Sequence, residues 1–357
     1  MLLFRTAAAF LLAATVTSTS LAQEAPDYAG LVEQAVAASI RPNYAAASER
    51  FAELERAVSG RCDVADMPDG PEVERAFAGA VAAWARVQHL RFGPVMEEDR
   101  YLSIFFWPDP RNFTGRHLRG LEAALGERPL NADSLTQMSV AVQSLPALER
   151  IVTGAGEAAD VALPPCPLAS AIAANLHNMM AETAAAWAEG AAYPQLLAQP
   201  GPENPLYRDH REAVSEVFKA LSSGLQFMSE RTLLPVVGDS VETARPRRAA
   251  FRHSGLTMPH LRASFEGLEA YYLDGGFSAA VAQRAPEVDT RIRDRFVQLG
   301  ATLEAIEGSF PDSVIDPAQR ARWRYVQTLA DRLVVEVNGG ASAALGLSRG
   351  FNAFDGD

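Results

Sequence analysis

Apolar residues recur at helical spacing, i, i+3, i+4, along most of the chain, and that one pattern leaves little room for anything but packed helices. Residues 27–59 ("DYAGLVEQAVAASIRPNYAAASERFAELERAVS") are alanine-rich and carry the pattern with one interruption near Pro42. Residues 71–90 begin with Pro71 and then place acids in the first turn, as a helix start prefers. Residues 135–154 run to Gly154, and 167–190 run from a proline start to Gly190. After 191–206 ("AAYPQLLAQPGPENPL"), the best linker candidate, the period resumes over 207–233, 249–273, 277–308 and 317–337. The β-branched stretches "LLPVVGD" and "RLVVEVNGG" are too few for a sheet. The expected fold class is all-α: two packed four-helix-bundle-like domains, 27–190 and 207–350.

The first 22 residues have a different character. Arg5 precedes the apolar run "TAAAFLLAATV", which is too short to span a bilayer, and Ser20 and Ala22 suit a signal peptidase. Residues 1–22 are therefore expected to be a cleavable signal peptide, and no later run approaches the ~20 apolar residues of a membrane span. The mature protein is expected outside the cytoplasm, in the periplasm or elsewhere in the cell envelope. Cys62 and Cys166, the two cysteines of the chain, fit one disulfide in such a compartment, with a metal-binding thiol pair as the lesser reading. The net charge of −12 makes nucleic acid a poor partner, since phosphate contacts need a basic face.

Chemistry is harder to locate. Residues 86–112 ("RVQHLRFGPVMEEDRYLSIFFWPDPRN") combine prolines, acids and aromatics in what reads as a structured connector, and such loops often carry sites. No two of the six histidines stand at the i, i+4 spacing of a helical metal site. The paired acids Glu212/Glu216 and Glu266/Glu269 each share a helix face, and such pairs ligate cations less often than they are simply solvated. Glu149 is the sharper candidate, because it sits among Leu145, Leu148 and Val152, where an unpaired carboxylate is costly. Its partner is expected from Arg86, Arg91 or Arg111, and a buried ion pair tying the connector to the bundle is the competing structural role.

Four stretches together, "RFGP" (91–94), "FWPD" (106–109), "SLPALERIVTG" (144–154) and "LGLSRGFNAFDGD" (345–357), resemble the imelysin-like family, in particular its branch of periplasmic proteins. The resemblance implies an exported envelope protein of two helical bundles with links to iron-regulated uptake, and a founding member described as a metallopeptidase. The motif associated with that activity is Gly-x-His-x-x-Glu on a helix. Here Ser144 takes the glycine position, Pro146 the histidine position and Glu149 the glutamate position. Proline has no lone pair to offer a metal, so a His–Glu pair cannot form on this helix.

The reading that follows is a non-catalytic envelope protein that binds iron or another divalent metal, or assists its uptake. Glu149 is expected in a cleft between the bundles, held by the 91–112 connector. Arg91 and Arg111 would be its charge partners, Trp107 a wall, and Asp109 a second oxygen ligand. An alternative is a metal-dependent peptidase whose ligands Asp109, Glu149, His260 and Glu269 converge across the bundles. A third is a structural envelope protein or one that binds an envelope partner protein or a polysaccharide, favoured by an apolar or aromatic groove around Trp107 without clustered acids.

Overall fold

The computed structural model describes residues 26–154 and 161–347, and every described regular element is helical. The expected signal peptide, 1–22, and the terminal motif beyond Leu347 lie outside the described residues. Eight principal helices follow one another: α1 (28–62), α2 (Pro71–Val87), α3 (Leu145–Thr153), α4 (Pro165–Ala186), α5 (210–237), α6 (Thr257–Asp274), α7 (Pro286–Glu304) and α8 (317–344). Helix α1 packs against α2 and α4, with α3 against α2 and α4. In the second half α7 packs against α8 and α6, and α5 against α8 and α6. The all-α, bundle-like expectation therefore holds.

Local chemistry explains the starts. Asp209 accepts the Glu212 N–H at 2.9 Å to open α5, and Asp316 accepts the N–H groups of Ala318 and Gln319 to open α8. Pro42 does not break α1; it occupies the first turn after a π-helical stretch, Ala35–Ile40. Two further π stretches, Phe227–Leu233 in α5 and Glu336–Ala341 in α8, widen those helices by a residue per turn.

The two halves share one continuous buried cluster that includes Phe51, Trp84, Phe105, Leu221, Tyr271 and Trp323. Their seam is α2 against α6, close enough to touch backbone to backbone. A Cβ at Gly267 would stand 2.5 Å from the Arg86 carbonyl oxygen and 2.6 Å from its Cα. The 191–206 stretch is an ordered connection: it holds a helix, Ala192–Ala198, and Asn204 donates to the carbonyls of Leu196 and Gln199. Tyr193 in that stretch presses its ring on Gly93, where a Cβ would meet it at 2.5 Å and φ is +65°. The glycine of "RFGP" is thus required twice over. Disulfide Cys62–Cys166 joins the end of α1 to the start of α4, with Cα atoms 5.4 Å apart. Among the described residues no helix is long and apolar enough to cross a membrane.

Candidate functional site

The "SLPALERIVTG" stretch forms α3. Ser144 caps its start, its hydroxyl accepting the Ala147 N–H, and Pro146 falls in the first turn, where its missing N–H costs nothing. Gly154 ends the helix in a left-handed conformation at φ +59°. Pro146 therefore marks a helix start and does not kink one. Residues 135–154, expected as one helix, are broken twice, at 137–139 and at Ser144, into the end of Ala132–Thr136, Val140–Gln143 and α3.

Glu149 is buried, 3% exposed, and its Oε1 accepts two hydrogen bonds from Ser254, at 2.8 Å from the backbone N–H and 2.7 Å from the hydroxyl. Burial pushes its carboxyl above the ordinary value; the Ser254 bonds, a backbone bond from His253 and the nearby Arg252 charge oppose that without cancelling it. The expected arginine partners are elsewhere. Arg86 pairs with Glu266 across the α2–α6 seam. The Arg91 guanidinium lies 4.5 Å from the Tyr101 ring centroid and 4.7 Å from that of Phe227. Arg111 is exposed, and its carbonyl accepts from Arg116.

Glu149 and Pro146 do face a cleft. A cavity of about 430 Å³ is walled by the 106–114 connector, the start of α3, the end of α5 and the 247–253 loop, so both halves build it. Trp107 and Asp109 line it. Trp107 stacks on Phe105 and meets Phe227 edge-on, and its indole N–H donates to the Arg248 carbonyl at 3.3 Å. Asp109 holds its own loop: one carboxylate oxygen accepts the Phe113 N–H at 2.7 Å and the other the Thr114 N–H at 2.9 Å. The π stretch of α5 brings Glu230 and Arg231 to the rim.

His260 and Glu269 are not in these walls. His260 is buried against Phe105 and Phe251, faces the Gln88 side-chain oxygen at 3.3 Å, and burial pushes it down to about 3. Glu269 is half-buried on α6, and burial, with Glu266 adding to it, raises its carboxyl. Among the described residues no three His, Cys, Asp or Glu side chains converge as a metal-holding group. The four proposed ligands are not brought together. Glu212 and Glu216 border a different depression, with Lys219.

Sequence reasoning missed the fourth wall. Residues 249–256 were expected to begin a helix, yet α6 starts only at Thr257 and the preceding loop folds over Glu149. The stretch "RPRRAAFRHSGL" (245–256) carried the signal in Pro246 and Gly255. The buried Phe251 ring, packed on Phe77 and Phe105, anchors the loop, and Thr257 donates to the Ala250 carbonyl at 2.7 Å. Arg320 of α8 holds the loop's origin by donating to the carbonyls of Val237 and Gly238, both at 2.8 Å.

Compared with known proteins, the chain matches the imelysin family model over residues 40–335. Among solved structures it is similar to an imelysin-like protein from Psychrobacter arcticum 273-4, with a TM-score of 0.73 and 17% identity, covering 91% of this chain and 97% of that one. It is also similar to a protein from Parabacteroides distasonis ATCC 8503 provisionally named iron-regulated protein A precursor. That match has a TM-score of 0.70 and 10% identity over the same shares of the two chains. No curated protein matches.

Proposed function

The chain belongs to the imelysin family, and from that premise we propose that it is a non-catalytic binding protein of the cell envelope. Its binding site is the Glu149 cavity, and its role is accessory to the uptake of iron or another metal. The observation that carries the reading is Pro146. It stands in the cavity wall at the position of the family's histidine, one helical turn from Glu149, and presents a ring carbon instead of a nitrogen donor. The Asp109 oxygens each accept a backbone N–H, from Phe113 and Thr114, Pro146 offers no donor, and among the described residues no three His, Cys, Asp or Glu side chains converge, so the donor set is poorer than a resident catalytic metal requires. The iron association is supported by the family and by the name of the Parabacteroides distasonis neighbour. Export is supported by the sequence of residues 1–22 and by the Cys62–Cys166 disulfide.

A glycan-binding role is the second reading, favoured by Trp107 and Phe106 in the wall. Trp107 already spends its ring on Phe105 and Phe227, which leaves less of it for a sugar face. The deciding experiment is calorimetric titration of the mature protein, purified without chelators, with iron salts and iron complexes and with envelope oligosaccharides. Glu149→Gln is run in parallel. Stoichiometric binding of iron in either form, weakened by the substitution while the melting temperature is kept, supports the proposal. Binding of oligosaccharide alone would replace it with the glycan reading. Peptide hydrolysis by metal-loaded protein, lost in Glu149→Gln, would overturn it in favour of the peptidase alternative.

A further inference from the structure

We infer that Arg91, which is absent from the walls of the Glu149 cavity, is the residue that positions the cavity's Trp107 wall, by closing a ring of side chains drawn from both halves. Its consequence for a ligand rests on the reading of this cavity as the binding site; the positioning itself is a property of the chain alone.

The contacts can be followed from group to group. The Arg91 guanidinium lies over two rings, 4.5 Å from the Tyr101 centroid and 4.7 Å from that of Phe227. Tyr101 packs on Trp84 at 5.2 Å between centroids, Trp84 on Phe105 at 6.2 Å, and Phe105 stacks on Trp107 at 5.9 Å. Trp107 meets Phe227 edge-on at 6.1 Å, which returns the series to Arg91. All members but Phe227 belong to the first half; Phe227 stands on the π stretch of α5 in the second. Arg91 and Trp107 are therefore the two members that grip it.

Arg91 is the adjustable link in this ring. Trp84, Tyr101 and Phe105 are buried in the core, and the Tyr101 hydroxyl also donates to the Gln88 carbonyl at 3.1 Å. Among the described residues the Arg91 guanidinium makes no ion pair and no hydrogen bond, so the two rings are its partners. Its backbone is fixed: the Arg91 N–H donates to the His89 carbonyl at 2.9 Å, and the neighbouring Phe92 ring packs edge-on against Trp187 at 5.6 Å. Trp107 is restrained more lightly. It is half-buried, and its indole N–H makes one long bond, 3.3 Å, to the Arg248 carbonyl. The rings of Phe105 and Phe227 must set its orientation, and of these Phe227 is the one that Arg91 holds.

For a ligand the consequence is one of shape. Trp107 lines the cavity together with Glu149 and Pro146. A wall whose rotamer is locked by its neighbours meets a ligand without first having to be ordered. Releasing Phe227 from Arg91 lets that wall move, so affinity falls although Arg91 touches no ligand. Trp107 also reports on itself. Of the four tryptophans, Trp84, Trp187 and Trp323 are fully buried, so a quencher in solution reads Trp107.

The test is acrylamide quenching of tryptophan fluorescence in the full mature chain. Wild type is compared with Arg91→Gln, Arg91→Lys, Phe227→Leu and the double variant Arg91→Gln/Phe227→Leu, with Trp107→Phe to assign the quenched signal. Melting temperatures establish that each variant is folded. Arg91→Gln should raise the quenching constant of the Trp107 signal about two- to five-fold, the size of a lost cation–π contact, and Arg91→Lys should recover part of it. Phe227→Leu should act in the same direction, and the double variant should add little to the larger single effect, because both break one link. Quenching unchanged in Arg91→Gln would overturn the inference, even with a lowered melting temperature, and so would fully additive effects. Titration with iron(II) chloride and ferric citrate follows the consequence for a ligand. Binding weakened in Arg91→Gln and recovered in Arg91→Lys supports it, and binding unchanged while quenching rises would overturn it. No binding of either probe would remove the metal reading of the cavity and leave the positioning of Trp107 standing on the quenching data.

Discussion

Ser254 closes on Glu149 from two atoms at once: its backbone N–H and its hydroxyl both donate to Oε1, across 105 residues of chain. This pair joins α3 of the first half to the loop before α6 of the second, at the floor of the cavity. A carboxyl held by neutral donors in a buried place behaves differently from one in an ion pair, and the difference is measurable.

Burial raises the Glu149 carboxyl above its ordinary 4.5. A carboxyl with a higher pKa folded than unfolded takes up a proton on folding between those two values. Stability is therefore greatest below 4.5 and falls as pH rises through the folded value. Glu149→Gln keeps an oxygen to accept from Ser254 and removes the pH-dependent loss. Urea unfolding should show the variant at least as stable as wild type at neutral pH, with the gap narrowing toward acid. A variant clearly weaker at neutral pH would mean that the carboxylate is instead a net stabiliser.

His89 and His260 should make the protein acid-sensitive. Both are buried, and burial pushes each down to about 3 from 6.5. Among the described residues neither ring nitrogen of His89 has a hydrogen-bond partner, and the ring packs against Tyr271. The unfolded chain takes up a proton below 6.5 and the folded chain does not. The stabilisation is thus complete above 6.5 and is lost as pH falls toward 3, at on the order of 1 kcal/mol per pH unit for each histidine. His89→Leu should flatten that slope by about half while changing neutral stability by less than about 2 kcal/mol. Chemical denaturation at a series of pH values reads both quantities, and an unchanged slope would contradict the account.

Gly267→Ala should destabilise by about 1–3 kcal/mol, because its Cβ would collide with the Arg86 backbone and not with a movable side chain. Gly300→Ala is the control: nothing lies within 4 Å of its Cβ, and alanine suits the exposed face of α7. Thermal melts of the two variants should move in opposite directions.

Reducing the Cys62–Cys166 bond frees a loop of 104 residues. On the chain-entropy argument this costs about 4–5 kcal/mol, and Cys62→Ser/Cys166→Ser should lose a similar amount. Denaturation with and without reductant measures it. Loss of less than about 1 kcal/mol would mean that the first half is held by the α1–α2 and α1–α4 packing alone.

The helices were legible because each buries a face, and burial leaves a period in the sequence. Helix α2 was expected over 71–90 and ends at Val87; α5 was expected over 207–233 and runs over 210–237. Ends that depend on tertiary contact were not legible. Residues 249–256 contain enough apolar positions to continue a helical pattern, but Phe251 turns inward at φ +54° to reach Phe77 and Phe105. Glu149 could be picked out because a charge among leucines is a local anomaly. Its true partner Ser254 could not, since a serine in a loop is anomalous nowhere. Arg91 is absent from the cavity wall and lies over the Tyr101 and Phe227 rings: guanidinium over rings and guanidinium beside a carboxylate look alike in a sequence. Asp109, expected as an oxygen ligand, lines the cavity while each of its oxygens accepts a backbone N–H of its own loop, a local role that the sequence does not display.

The cavity draws its walls from 106–114, 146–150, 230–236 and 247–253, so no contiguous half of the chain contains it. Whatever occupies it touches both halves, and its affinity adds to the free energy that keeps them together as RT ln(1 + [L]/Kd). A ligand bound there would be a clasp as well as an occupant. A loaded molecule would then resist prising apart, proteolytic nicking between its halves and heat more than an empty one, and release would loosen the hold of one half on the other.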